Sequence, residues 1–183
     1  MAPERLILAS SSPRRRAILE QLGVDFSVEA PNVEELTDGE PRELVVQNAL
    51  LKLRAVPGEL VLAVDSMVVW DDRAHGKPAD AAEAEAWLHE LSGRWHEVMG
   101  GIAIREHGRE RTDVAVTRVR FRELAQADID RYLASDEWCD RAGGYAIQEL
   151  GAMLVEGIEG DYFNVVGLPV PALLRLLPGL LHS

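Results

Sequence analysis

Residues 60–70 read LVLAVDSMVVW, two apolar runs separated by Asp65 and Ser66. The first run, Leu60 to Val64, shows no alternation, which is the pattern of a strand buried on both faces of a sheet. A carboxylate set between such runs is rarely buried without a partner. Three readings of Asp65 stay open at this point. The strand ends there and Asp65 opens toward a cleft, or Asp65 pairs with a metal or a cation, or it is a turn or capping aspartate. Ligands of open α/β sheets lie beyond the carboxyl ends of strands, so Asp65 is a candidate site residue.

Toward the N-terminus, residues 5–23 read RLILASSSPRRRAILEQLG. Arg5 to Ala9 predicts a strand and Pro13 to Leu22 a helix, with Ser12 as N-cap, Pro13 at the first helical position and Gly23 past the end. Val24 to Glu29 predicts a second short strand, and Pro41 opens a helix that runs to about Ala55 and stops at Pro57. Toward the C-terminus, Asp80 and Glu83 resemble a capping box, followed by Ala84, Trp87, Leu88 and Leu91 at helical spacing. After Gly93 the period changes to two, and His96–Arg105 with Arg109–Arg122 predict a hairpin around His107-Gly108. Ala127–Ala134 and Pro169–Leu177 predict two further helices. Helices and strands are mixed without strict alternation, so the expected class is an α/β or α+β mixed sheet. No linker, repeat or low-complexity block interrupts the chain, which predicts a single domain over residues 1–183.

Charge and cysteine content narrow the partners. The chain carries 31 acidic and 19 basic residues for a net charge of −12, which argues against a grip on nucleic-acid polymers or an anionic membrane. A small anionic ligand stays open, because a pocket sees its local charges. Of the basic residues 17 are arginine and two are lysine, Lys52 and Lys77. Cys139 is the only cysteine, so neither an intrachain disulfide nor a cysteine-based zinc site can be built. A reducing interior fits that usage. The apolar run Leu6–Ala9 is too short for a signal peptide core, and the apolar stretch before Arg175 is interrupted by Pro169 and Pro171. A cytoplasmic protein is expected.

Three segments carry candidate chemistry. In Ser10-Ser11-Ser12-Pro13-Arg14-Arg15-Arg16, three arginines in a helix's first turn oppose the macrodipole, an arrangement that makes sense with an anion at the helix N-terminus. The competing reading is a solvated face paired with nearby glutamates. Lys52 shares a helix face with Val45, Ala49 and Val56; either its stem packs and its ammonium reaches water, or a compact point charge is wanted there. Lys77 precedes Pro78, which biases it toward an extended loop. Glu35, beside Glu34, could supply a metal-binding carboxylate or simply face solvent. The histidines show no ligand spacing, and there is no Walker A run, GxGxxG or GxSxG. The four tryptophans are too scattered for a stacking platform and read as core or rim packing.

Taken in order, these segments resemble the Maf family of nucleoside triphosphate pyrophosphatases, also called septum formation inhibitor proteins. The resemblance begins at Ser10–Arg15 and runs through Val33-Glu34-Glu35, Ala49 with Lys52, Val64-Asp65-Ser66 and Gly76-Lys77-Pro78. It continues through Leu91-Ser92-Gly93, Ala142-Gly143, Ile147-Gln148, Gly160-Asp161-Tyr162 and Val166–Pro169. It implies a mixed twisted sheet flanked by helices, as in Maf and inosine triphosphatase-like proteins, and a tendency to form homodimers. It implies hydrolysis of a nucleoside triphosphate between the α and β phosphates, with a divalent cation, Mg²⁺ or Mn²⁺. Asp65 falls on the catalytic proton acceptor, and Glu35 joins it around the cation. Ser10, Arg14, Arg15, Lys52 and Lys77 fall on positions that hold the triphosphate.

Arg14, Ser66 and Gln148 fall on positions tied to base selectivity, and Gly144–Gln148 resembles the branch that cleaves dTTP and UTP. The chain departs from the usual pattern with Ser66 for threonine, Gly144 for alanine, Ala146 for glycine, Glu149 for glycine and Arg141 for lysine. Ser66 lacks a methyl that could pack against a base, and Glu149 is expected to add charge beside the pocket. The alternatives are a purine-selective pyrophosphatase of the inosine triphosphatase kind, and a non-catalytic nucleotide-binding regulator of septum formation.

Overall fold

The apolar run that begins at Leu60 does not stop at Asp65. In the computed structural model, which describes residues 5–181, it continues as one eleven-residue strand, β3 (Leu60–Trp70). Of the three readings of Asp65, pairing with a cation holds, and the strand does not end there because that carboxylate has a cationic partner inside the fold. Residues 1–4 and 182–183 of the expected single domain lie outside the described residues.

Seven strands form one mixed sheet: β1 (Leu6–Ala9), β2 (Phe26–Val28), β3, β4 (Arg73–His75), β5 (Trp95–Glu106), β6 (Arg109–Phe121) and β7 (Val155–Glu159). Their order is β2-β1-β3-β5-β6-β7, with β4 paired to β3. The β2-β1-β3 part is parallel and the remainder antiparallel. The hairpin expected around His107-Gly108 is β5–β6, and both residues take positive φ, 48° and 74°. Strands β4 and β7 escape a reading from pattern, since each is short and half-exposed.

Helices cover both faces. On one lies α2 (Pro41–Ala55), whose Val45, Ala49 and Leu53 pack against the odd-numbered positions of β3 and their neighbours, among them Val61, Ala63 and Ala103. On the other lie α1 (Pro13–Gln21) and α6 (Val170–Leu176), whose Ile18, Leu19 and Leu173 pack on Leu6, Leu8, Leu62, Val64, Ile102 and Ile104. Further along this face, α3 (Ala81–Leu91) and α4 (Gln126–Leu133) close a second cluster around Val68, Trp70, Phe121 and Tyr132. Burial on both faces is why β3 shows no period of two.

The caps follow the sequence. Ser12 accepts the Arg15 N–H at the start of α1, and Gly23 takes φ 71° beyond its end. Asp80 accepts the Glu83 N–H at α3, while the Glu83 carboxylate reaches back to Ala79 N–H at 2.6 Å.

Two features of β3 position the site. Its outer edge pairs with β1 only at 61–63 and with β4 only at 68–70, so no strand covers that edge over 64–67 among the described residues. On its inner edge Asp65 and Ser66 lie opposite Gly101 and Gly100 of β5. A Cβ at Gly101 would come within 2.2 Å of the Val45 carbonyl oxygen of α2, and one at Gly100 within 2.1 Å of Asn164 Oδ1. Asn164 belongs to the short helix α5 (Tyr162–Val166) on the opposite face. Only residues without side chains let both helices approach the sheet this closely.

Candidate active site

A cavity of about 780 Å³ opens at the uncovered edge of β3. Ser10, Arg14, Arg15, Glu35, Lys52, Asp65, Ser66, Lys77 and Gln148 all line it, although they come from six separate stretches of chain. The alternation of β3 divides them. Asp65 faces α2, and Ser66 faces α1.

On the α2 side, Lys52 Nζ lies 2.6 Å from Asp65 Oδ1 and 2.7 Å from Glu35 Oε1. Lys52 and Asp65 are 8% and 4% exposed, so the pair is buried, while Glu35 is half-exposed. The lysine therefore neither snorkels to water nor sits alone, because its α2 face is pressed against the sheet where two carboxylates meet it. Partial burial pushes the Glu35 carboxyl up, but the Lys52 hydrogen bond and charge, with Lys77 and Arg15 behind, hold it below the usual carboxylate range. Asn48, a helical turn before Lys52, donates toward Asp65 Oδ2 at 3.4 Å and exchanges hydrogen bonds with the Leu36 main chain. Sequence reasoning missed Asn48. The available signal was a polar residue on the same apolar face as Val45 and Lys52.

On the α1 side, the arginine run separates. Arg16 turns to the surface and pairs with Glu20 at 2.9 Å, which is the solvated-face reading for that one residue. Arg15 turns inward. Its Nε donates to the Gly167 carbonyl at 2.9 Å, Nη1 to Ser10 Oγ at 3.0 Å and Nη2 to Ser66 Oγ at 3.1 Å. Burial lowers the Arg15 pKa, and Asp65 and Glu35 oppose that shift in part. Ser10, buried at the end of β1, also accepts the Ser12 N–H at 3.1 Å. Arg14 lines the cavity beside it.

The far rim is built by loops. Lys77 follows β4 and pairs with Asp140, and both side chains are exposed. Gly143, at φ 68°, donates to the Gly76 carbonyl at 2.8 Å and so ties the 142–148 segment to the lysine loop. Gln148 presents a buried Oε1 with no hydrogen-bond partner. Glu149 stands beside the cavity without lining it: it is exposed and faces the lining residue Arg141 at 3.7 Å. Trp70 is core packing and Trp87 rim packing, as expected, and the two gather with a histidine: His75 stacks on Trp70 at 3.2 Å between centroids, and Trp87 meets both edge-on. His75 and Trp87 form part of the cavity wall. The chain brings these rings together through the β3–β4 pairing and α3, contacts that no local pattern announces.

Electrostatically the cavity differs from the whole protein. Arg14, Arg15, Lys52, Lys77 and Arg141 face it against Glu35, Asp65, Glu83 and Asp140, an excess of cations within a chain of net charge −12. Among the described residues no group of three or more His, Cys, Asp or Glu side chains is placed to hold a metal. The donor set of two carboxylates, Glu35 and Asp65, fits a divalent cation shared with ligand phosphates, the mode in which Mg²⁺ takes one or two carboxylates and no all-protein cage. No helix among the described residues is long and apolar enough to cross a membrane.

The model of a family described as Maf-like protein matches residues 5–180. A dTTP/UTP pyrophosphatase of Gloeobacter violaceus is 49% identical over 179 residues, 94% of each chain. One of Dictyoglomus thermophilum is 43% identical over 98% of each chain. One of Pyrococcus furiosus is 41% identical over 95% of this chain and 94% of its own.

Proposed function

The chain belongs to the Maf family, and from that premise we propose that it is a nucleoside triphosphate pyrophosphatase cleaving dTTP and UTP to the monophosphate and pyrophosphate. The observation that carries the reading is the convergence of Lys52, Arg15 and Ser10 on one cavity beside the buried carboxylate of Asp65.

The triphosphate enters where β1 ends. The Ser10 hydroxyl and the Arg15 guanidinium offer donors to its oxygens. Lys77 reaches in from the opposite rim. Arg15 is already oriented by three hydrogen bonds, so little reorganisation accompanies its contact with phosphate. Asp65 takes the proton of the attacking water. The water oxygen bonds to phosphorus as the bridging α–β oxygen bond breaks, and pyrophosphate leaves. Lys52, at 2.6 Å, fixes Asp65 for that role and supplies positive charge where phosphate charge develops. Glu35 and Asp65 would hold the divalent cation, Mg²⁺ or Mn²⁺, which when bound neutralises negative charge on the phosphates.

Base choice falls to the rim. Uracil and thymine carry an N3–H donor, and Gln148, which lines the cavity, has a partnerless Oε1 acceptor that a side-chain rotation would offer to it. Ser66 is spent on Arg15, so its part in selectivity runs through the guanidinium.

The test is pyrophosphate release from a panel of nucleoside triphosphates with Mg²⁺ or Mn²⁺. Faster release from dTTP and UTP than from purine nucleotides is expected. Folded protein that releases none from any of them would overturn the reading.

A further inference from the structure

Asn48 is fully buried on α2, yet it does not line the cavity. A side-chain amide has one oxygen acceptor and two N–H donors. Here the oxygen accepts the Leu36 N–H at 2.7 Å, and the nitrogen donates to the Leu36 carbonyl at 3.0 Å and toward Asp65 Oδ2 at 3.4 Å. Every bond of the group is directed at a neighbour of the reacting centre. The segment between β2 and α2 that carries Glu35 contains no helix or strand. The Leu36 side chain is 47% exposed, so it does not anchor that segment by burial. The main-chain clamp from Asn48 holds Leu36, next to Glu35, where Glu35 meets Lys52. An apolar residue would satisfy the packing of this helix face; a buried amide is costly there unless its bonds are used.

We propose that Asn48 is a positioning residue, which locks the Glu35 segment onto α2 and orients Asp65, and so sets turnover without touching nucleotide. The inference rests on the pyrophosphatase reading above. Its two arms are the loop, which hydrogen exchange reads by itself, and the carboxylate, which is read together with the loop in kcat.

The experiment compares the unaltered protein with Asn48→Leu and Leu36→Pro. The first keeps the volume of the buried side chain. The second removes the clamped N–H from an exposed position, so it leaves the core intact if Asn48→Leu does not fold. In each variant kcat is expected to fall roughly 10- to 100-fold, the scale of a misplaced reacting group. The KM for the nucleotide should stay within about threefold, since Ser10, Arg14, Arg15 and Lys77 lie on other elements and Lys52 keeps its place on α2. Hydrogen exchange across residues 33–37 should quicken in both. A rise in KM at unchanged kcat would overturn the proposal, as would kcat within twofold of the parent or unchanged exchange. Absence of turnover in the unaltered protein would overturn the pyrophosphatase reading, and the positioning role with it. Turnover that survives only the Asn48 change overturns the positioning role alone.

Discussion

Replacing Lys52 by methionine removes the charge that faces Asp65 while keeping a stem of similar length. Asp65 is 4% exposed, and its remaining contact is the Asn48 amide at 3.4 Å. Breaking a buried ion pair from one side leaves an uncompensated charge, which costs about 3–5 kcal/mol. For a chain of this size, at about 2–4 °C per kcal/mol, the melting temperature should drop by roughly 6–20 °C. The reverse change, Asp65→Leu, should cost less, because Lys52 keeps Glu35 at 2.7 Å. The double variant Lys52→Met/Asp65→Leu has no buried charge at this point, and Glu35 is free to turn to water; its stability should return to within about 1 kcal/mol of the parent. Urea unfolding of the four proteins, followed by fluorescence and circular dichroism together, gives the coupling energy directly. A single Lys52→Met variant within about 1 kcal/mol of the parent would refute the reasoning. So would a double variant no more stable than Lys52→Met.

Other expectations follow from the same geometry. Asp65→Asn should lower pyrophosphate release by about 10²- to 10⁴-fold, the range of a general base, with nucleotide binding by calorimetry little changed; near-normal turnover would remove Asp65 as the proton acceptor. Gln148→Leu should shrink the preference for dTTP and UTP over purine nucleotides by roughly 5- to 100-fold, the worth of one buried hydrogen bond, and a panel ranking unchanged from the parent would count against it. Gly101→Ala should cost at least about 1–3 kcal/mol by overpacking, because its Cβ meets a backbone oxygen of α2 at 2.2 Å; denaturant titration reads this directly. His96 is buried, and burial pushes its pKa down to about 3 from 6.5. The unfolded chain therefore binds a proton that the folded one refuses, and stability falls as pH drops from 6.5 toward 3, at up to about 1.4 kcal/mol per pH unit. His96→Leu should flatten the pH dependence of unfolding by that amount between pH 5 and 6.5, and an unaltered slope would show that His96 takes up its proton in the folded state.

What was legible in the sequence was mostly local. Ser12, Pro13 and Gly23 state a helix without help from the rest of the chain, and the spacing of Val45, Ala49, Lys52 and Val56 places the lysine on a buried face. The extent of β3 was not legible. Whether a strand survives a carboxylate depends on a cation supplied from α2, thirteen residues earlier in the chain, and no window around Asp65 contains that information. The arginine run shows the same limit: Arg15 and Arg16 are adjacent and chemically identical, yet one is claimed by Ser10, Ser66 and Gly167 and the other by Glu20. The gathering of two tryptophans was not legible, because Trp70 and Trp87 are seventeen residues apart in sequence and 5.7 Å apart between ring centroids. Asn48 was passed over because its partners, Leu36 and Asp65, come from two other elements.

The paired glycines under the site have a mechanical consequence. At Gly100 and Gly101 the sheet is one backbone thick, with α5 resting on one side and α2 on the other. On the α2 side peptide bears on peptide, Gly101 against the Val45 carbonyl, while on the α5 side the buried Asn164 amide bears on Gly100, and close-packed interiors transmit displacement. Val165 and Val166 of α5 line the cavity, and Lys52 and Asn48 ride on α2. The two walls are therefore in series, like plates clamped across a single shim. A shift of either helix bears directly on the part of β5 that pairs with Asp65 and Ser66.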